Sequence, residues 1–114
     1  MPHIIVEYAE QLADETPVET MLETVHHSVA ESGLFEESHI KTRAYPFRYF
    51  TKAGRRNPYI HVQARIKSGR NEDNKKRFAE VILIGLRELN IPASVITIEI
   101  IDMDRGSYSK YEPK

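Results

Sequence analysis

Two segments of helical periodicity, each bracketed by runs of β-branched residues, leave this chain few ways to fold. Val18, Met21, Leu22, Val25 and Val29 recur at helical spacing, as do Phe78, Ile82, Leu86 and Leu89. Each stripe is one-sided, so each helix must lie against an apolar surface. Strands predicted over residues 3–8, 40–45, 59–66 and 94–102 supply it. In the third, Ile60, Val62, Ala64 and Ile66 alternate with His61, Gln63 and Arg65, the pattern of a sheet covered on one face. In the fourth, Ile96, Ile98 and Ile100 form one row, while Val95, Thr97 and Ile101 opposite them are apolar or neutral. That second face is expected to be covered by a partner subunit. Strand–helix–strand repeated twice predicts an α+β fold of order βαββαβ, with one four-stranded sheet and both helices on one face.

Local signals set the boundaries. Thr16 is the expected N-cap of the first helix, with Pro17 at its first position, Glu19 completing a capping box and Gly33 as its stop. Pro46 has no N–H to donate, so the second strand must lie at an edge or bend there if it continues toward Phe50. A basic turn over 51–58 divides two pseudo-repeats, about 1–50 and 58–102, of one domain spanning 1–114. Lys67-Ser68-Gly69-Arg70-Asn71 is a tight loop into the second helix, predicted over 72–89, which Asn90 and Pro92 end. The tail over 103–114 carries Tyr108 and Tyr111 among charges and is expected to reach toward a neighbouring subunit.

Composition narrows the partners. Lys and Arg total 16 against 17 Asp and Glu, a net charge of −1, which gives no bias toward nucleic acid or anionic membrane. The absence of cysteine removes disulfides and thiolate chemistry. No apolar run reaches the length of a membrane span, so a cytoplasmic protein is expected. His26 and His27 are adjacent on a helix and diverge, and His3, His39 and His61 show no ligand spacing, so no metal site is expected.

The opening run Met1-Pro2-His3-Ile4-Ile5-Val6-Glu7-Tyr8 starts a strand at a proline. If Met1 is removed, Pro2 becomes a secondary amine on a rigid support. An α-amino group has an ordinary pKa of about 8, and burial or nearby cations lower it toward the range where it can shuttle protons at neutral pH. On position alone, Pro2 is equally the unremarkable start of a strand.

With its terminal proline, the His-Ile-Ile-Val-Glu-Tyr strand, the Gly33-Leu34-Phe35 segment leading into Ile40-Lys41-Thr42-Arg43, and the Gly69-Arg70 loop, the chain resembles the 5-carboxymethyl-2-hydroxymuconate isomerase family. These are longer members of the tautomerase superfamily. The resemblance implies the tautomerase, or MIF-like, architecture, a homotrimer, no cofactor, and Pro2 as general base and acid on an unsaturated oxo or hydroxy dicarboxylate of aromatic-acid catabolism, such as the homoprotocatechuate branch. It also implies cationic substrate-binding residues, for which Lys41, Arg43 and Arg70 are the candidates. Lys41 stands where the family often has arginine and supplies a point charge without the bidentate fork; Arg43, two residues on, projects to the same face. The alternatives are a related Pro2-dependent hydratase or dehalogenase, and a non-catalytic oligomeric binding module.

Overall fold

The computed structural model describes residues 1–114. Strands β1 (His3–Ala9), β2 (Lys41–Phe47), β3 (Tyr59–Lys67) and β4 (Val95–Met103) form one sheet in the order β2-β1-β3-β4. Helix α1 (Val18–Glu31) connects β1 to β2, and α2 (Glu72–Arg87) connects β3 to β4. Each βαβ unit is parallel within itself, and the two halves meet where β1 runs antiparallel to β3. The α+β order predicted from the sequence is the one observed.

Alternation decides which face is buried. Ile4, Val6 and Tyr8 of β1 and Ile60, Val62, Ala64 and Ile66 of β3 form the floor of the core. Met21, Val25 and Val29 of α1 and Phe78, Ile82 and Leu86 of α2 close it from above. Ile96, Ile98 and Ile100 pack partly buried at its margin. The opposite sheet face carries no helix. It presents Ile5, Glu7, His61, Gln63, Thr97, Glu99 and Ile101, joined by cross-strand bonds from His61 to Thr97 and Glu99 (2.7 and 3.1 Å) and from Gln63 to Glu7 (3.3 Å). No helix is long and apolar enough to cross a membrane.

The first helix starts one residue later than expected. Glu10–Asp14 forms a 3-10 turn with Leu12 buried, and the Thr16 N–H closes it on the Leu12 carbonyl at 3.0 Å. Thr16 is thereby drawn into the preceding turn, and Pro17, with ψ of 138°, takes the N-cap position without a side-chain cap. The capping box of Thr16 and Glu19 does not form. Gly33 ends α1 as expected, at φ +73°, a left-handed value that costs glycine little. Asn71 caps α2, its Oδ1 accepting from the Asn74 N–H at 2.8 Å, and Asn90, at φ +54°, turns the chain out after it. Pro46 sits on edge strand β2 opposite Tyr8, where its missing N–H disrupts no central ladder, and the strand stops at Phe47 rather than Phe50.

Phe78 is fully enclosed and meets Phe35 at a ring separation of 5.4 Å, tying the core to the loop after α1. Phe78→Ala is expected to lower the unfolding free energy by about 3–5 kcal/mol, read as a lower urea midpoint with an unchanged denaturant slope.

Candidate active site

Strand polarity brings four chain segments to one edge of the sheet. Because β1 is antiparallel to β3, the beginning of β1 lies beside the end of β3, and parallel β4 ends there too, with Lys67 opposite Met103. Parallel β2 begins at the same edge, with Lys41 opposite His3. Pro2 is buried at this corner, and its carbonyl accepts the Lys41 backbone N–H at 3.1 Å.

A cavity of about 230 Å³ opens here, lined by Met1, Leu34, Phe35, Glu36, His39, Lys67, Arg70 and Arg105. The Met1 ammonium donates to the His39 carbonyl at 3.3 Å, and Lys41 Nζ donates to the same oxygen at 3.3 Å. Arg70 is fixed on two sides: one nitrogen donates to the Leu34 carbonyl at 3.1 Å, and the guanidinium lies 4.9 Å from the centre of the Phe35 ring. Arg105 donates through Nε to the Ser68 carbonyl at 3.2 Å, which leaves the outer nitrogens of its fork unused by that bond. None of the ion pairs in the chain involves Lys41, Lys67, Arg70 or Arg105. Glu36, the one carboxylate in the lining, stands 3.6 Å from His39.

The sequence-derived candidates therefore separate. Arg70 lines the cavity, Pro2 is buried next to Met1, which lines it too, and Lys41 stands beside the terminal amine through the shared carbonyl. Arg43 lies on the open sheet face, its guanidinium 3.4 Å from His3 Nδ1. Guanidinium only donates, so Nδ1 carries the lone pair and Nε2–H donates to the Tyr108 hydroxyl at 3.1 Å. Tyr108 thus docks on the first strand of its own chain. Glu7 and Tyr59 line a separate aromatic hollow of about 400 Å³ at the far end of the sheet.

Lys67 and Arg105 were missed by sequence reasoning, although strand polarity carried the signal: in two parallel strands, the residues that follow both must emerge together. The roomiest hollow, about 690 Å³, lies instead between α1 and α2 and includes Glu23, Glu31 and Glu88 in its lining. It is acidic and lacks converging cations, so volume alone misdirects.

A profile of the family described as 5-carboxymethyl-2-hydroxymuconate isomerase matches residues 2–93. The chain belongs to this family. Similar solved structures include a 5-carboxymethyl-2-hydroxymuconate delta-isomerase, 18% identical with a TM-score of 0.83, covering 98% of this chain and 89% of that one. A 5-carboxymethyl-2-hydroxymuconate isomerase from Deinococcus radiodurans R1 is 20% identical with a TM-score of 0.81, covering 98% and 90%. A fused 4-OT described as a symmetric trimer is 12% identical with a TM-score of 0.80, covering 95% and 90%. No curated protein sequence matches the chain. The isomerase family thus contains this chain, and the sheet and helices are those of the tautomerase, or MIF-like, fold.

The terminal ammonium of Met1 is lowered from 8.0 to about 6, first by burial, then by the hydrogen bond and charge of Lys41 and by the charges of Lys110 and Lys67. His3 is lowered as well, by burial and then by Lys41, the terminus, Arg43 and Arg65. A depressed cationic group binds fewer protons folded than unfolded, so its contribution makes stability rise with pH through the window of about 6 to 8 and stay level below and above it. In protein retaining Met1, pH-dependent acylation of the terminus is expected to report a midpoint near 6, and Lys41→Gln is expected to move that midpoint upward.

Proposed function

We propose that the chain is a cofactor-independent tautomerase or isomerase in which Pro2, freed by removal of Met1, is the proton-transferring group. The observation that carries this is the position of Pro2, buried at the end of β1, behind a cavity whose lining cations have no carboxylate partners. Removing Met1 moves the free amine one residue inward from a site that already depresses an ammonium. The burial and the Lys41 charge that lower the Met1 ammonium would oppose a charged amine at Pro2 as well, which favours the neutral form a base needs.

The neutral amine takes a proton from the enol oxygen, or from the carbon beside the carbonyl, of a conjugated acid. The resulting ammonium returns a proton elsewhere on the conjugated frame. Arg70, held by the Leu34 carbonyl and the Phe35 ring, presents its remaining donors to a carboxylate, while Lys67 and Lys41 add positive potential where oxyanion charge develops. Arg43 is turned toward His3 on the open face and is not in the cavity lining. The substrate class is an unsaturated oxo or hydroxy dicarboxylate, with 5-carboxymethyl-2-hydroxymuconate as the family's own example. A homotrimer would cover the helix-free face, where Ile5 and Ile101 lie among polar groups.

Ketonisation of phenylenolpyruvate by Met1-free protein tests the proposal. Pro2→Ala is expected to lose about 10²–10⁴-fold in kcat/KM, and protein retaining Met1, whose Pro2 nitrogen is an amide, is expected to be comparably impaired. Equal turnover in all three forms would refute the role of Pro2.

A further inference from the structure

We infer that Arg105, in the segment after β4, is a specificity-determining residue that binds the carboxylate of the substrate farther from Arg70. This rests on the isomerase reading above and goes beyond it by assigning the second anionic contact to the C-terminal segment.

Four observations support it. First, Arg105 lines the same cavity as Arg70 and Lys67 but approaches from a different element, beyond the end of β4 rather than between β3 and α2. Second, its Nε bond to the Ser68 carbonyl fixes the guanidinium by one corner, so its outer edge is the part left to receive a carboxylate side-on. Third, Gly69, at φ +122°, gives the loop a shape that suits glycine, and a Cβ built on it would stand 3.8 Å from an Arg105 terminal nitrogen. The guanidinium therefore rests on the loop that carries Lys67 and Arg70. Fourth, the downstream chain is held at the same corner, with the Tyr108 hydroxyl on His3, Lys67 Nζ 5.6 Å from the Tyr108 ring centre, and the Lys110 charge acting on the terminal amine.

Two arginines held by separate segments at one corner, with no acidic partner for either, form a two-point receptor. One carboxylate satisfies one fork; a substrate with two satisfies both. The cavity should therefore distinguish dianions from monoanions of the same length.

The probes are trans,trans-muconate and sorbate, six-carbon trans,trans dienes that differ in having two carboxylates or one. Each is titrated against Met1-free protein, Arg105→Gln and Arg105→Lys, by calorimetry and as a competitor of phenylenolpyruvate. Wild-type protein is expected to prefer muconate, Arg105→Gln to lower the muconate-to-sorbate affinity ratio by about tenfold or more, and Arg105→Lys to fall between, because a point charge replaces the fork. Arg105 is exposed, so thermal unfolding of both variants is expected to match wild type. If wild type prefers muconate and Arg105→Gln keeps that preference, the inference is overturned while the isomerase reading stands. If wild type binds the two alike, the inference is overturned as well, and the Pro2 assay decides the reaction independently.

Discussion

The hydrogen bond from the Lys41 N–H to the Pro2 carbonyl, at 3.1 Å, carries the β1–β2 ladder to the residue before the first full strand position. Proline can occupy that place because its missing N–H is not needed there while its carbonyl still accepts. The nitrogen is thereby held at a defined point on the sheet rather than on a fraying terminus. Everything else at the corner takes its position from the same register: His3 opposite Lys41 on one side and opposite Arg65 on the other. A slip of one residue would exchange the faces of β1 and remove Ile4, Val6 and Tyr8 from the core, so the hydrophobic pattern itself guards the placement of Pro2.

Gathering Lys41, Lys67, Arg70 and Arg105 around one small cavity opposes folding through like-charge repulsion. The chain offsets this without neutralising it. Arg70 and Arg105 donate to the Leu34 and Ser68 carbonyls, Arg70 lies over Phe35, Lys67 over Tyr108, and Lys41 donates to the His39 carbonyl. Carbonyl dipoles and aromatic faces steady a cation while leaving its net charge available, whereas a carboxylate would cancel it. Elsewhere the chain does use carboxylates, as where Lys75 meets Asp102 at 3.1 Å and Arg48 meets Glu10 at 3.5 Å. The contrast within one small molecule of nearly balanced charge marks the corner as a place where positive potential is kept.

The fold was readable because its determinants are periodic: the helical stripes and the alternation of β3 survive in the one-dimensional string. The boundary at Thr16 was not, because Thr16 has two possible uses, as a cap for α1 or as the closing donor of the Glu10–Asp14 turn, and burial of Leu12 decides between them. The same limit applies to the site. Pro2 and Arg70 could be singled out because terminal position and loop position are visible in a sequence. Lys67 reads as the last residue of an alternating strand and Arg105 as one charge in a polar tail; only the shared polarity of β3 and β4 brings them together. Arg43 shows the converse, since two-residue spacing puts it on the same strand face as Lys41, yet that face leads along the open sheet to His3.

Met1 has a double relation to the cavity it lines. Its side chain packs against the core margin and its ammonium bonds the His39 carbonyl, so it fills space at the mouth while blocking the nitrogen of Pro2 as an amide. Its removal does two things with one bond cleaved: it creates an amine and it vacates room beside it. Desolvation is the largest cause of the depressed terminal pKa, and Pro2 lies directly beneath Met1 in the same surroundings. An entering organic anion reverses part of that effect, because its negative charge favours the protonated amine. In the proposed role of Pro2 the amine would thus become a better proton acceptor when an anionic substrate arrives, and would lose that gain as the product anion leaves.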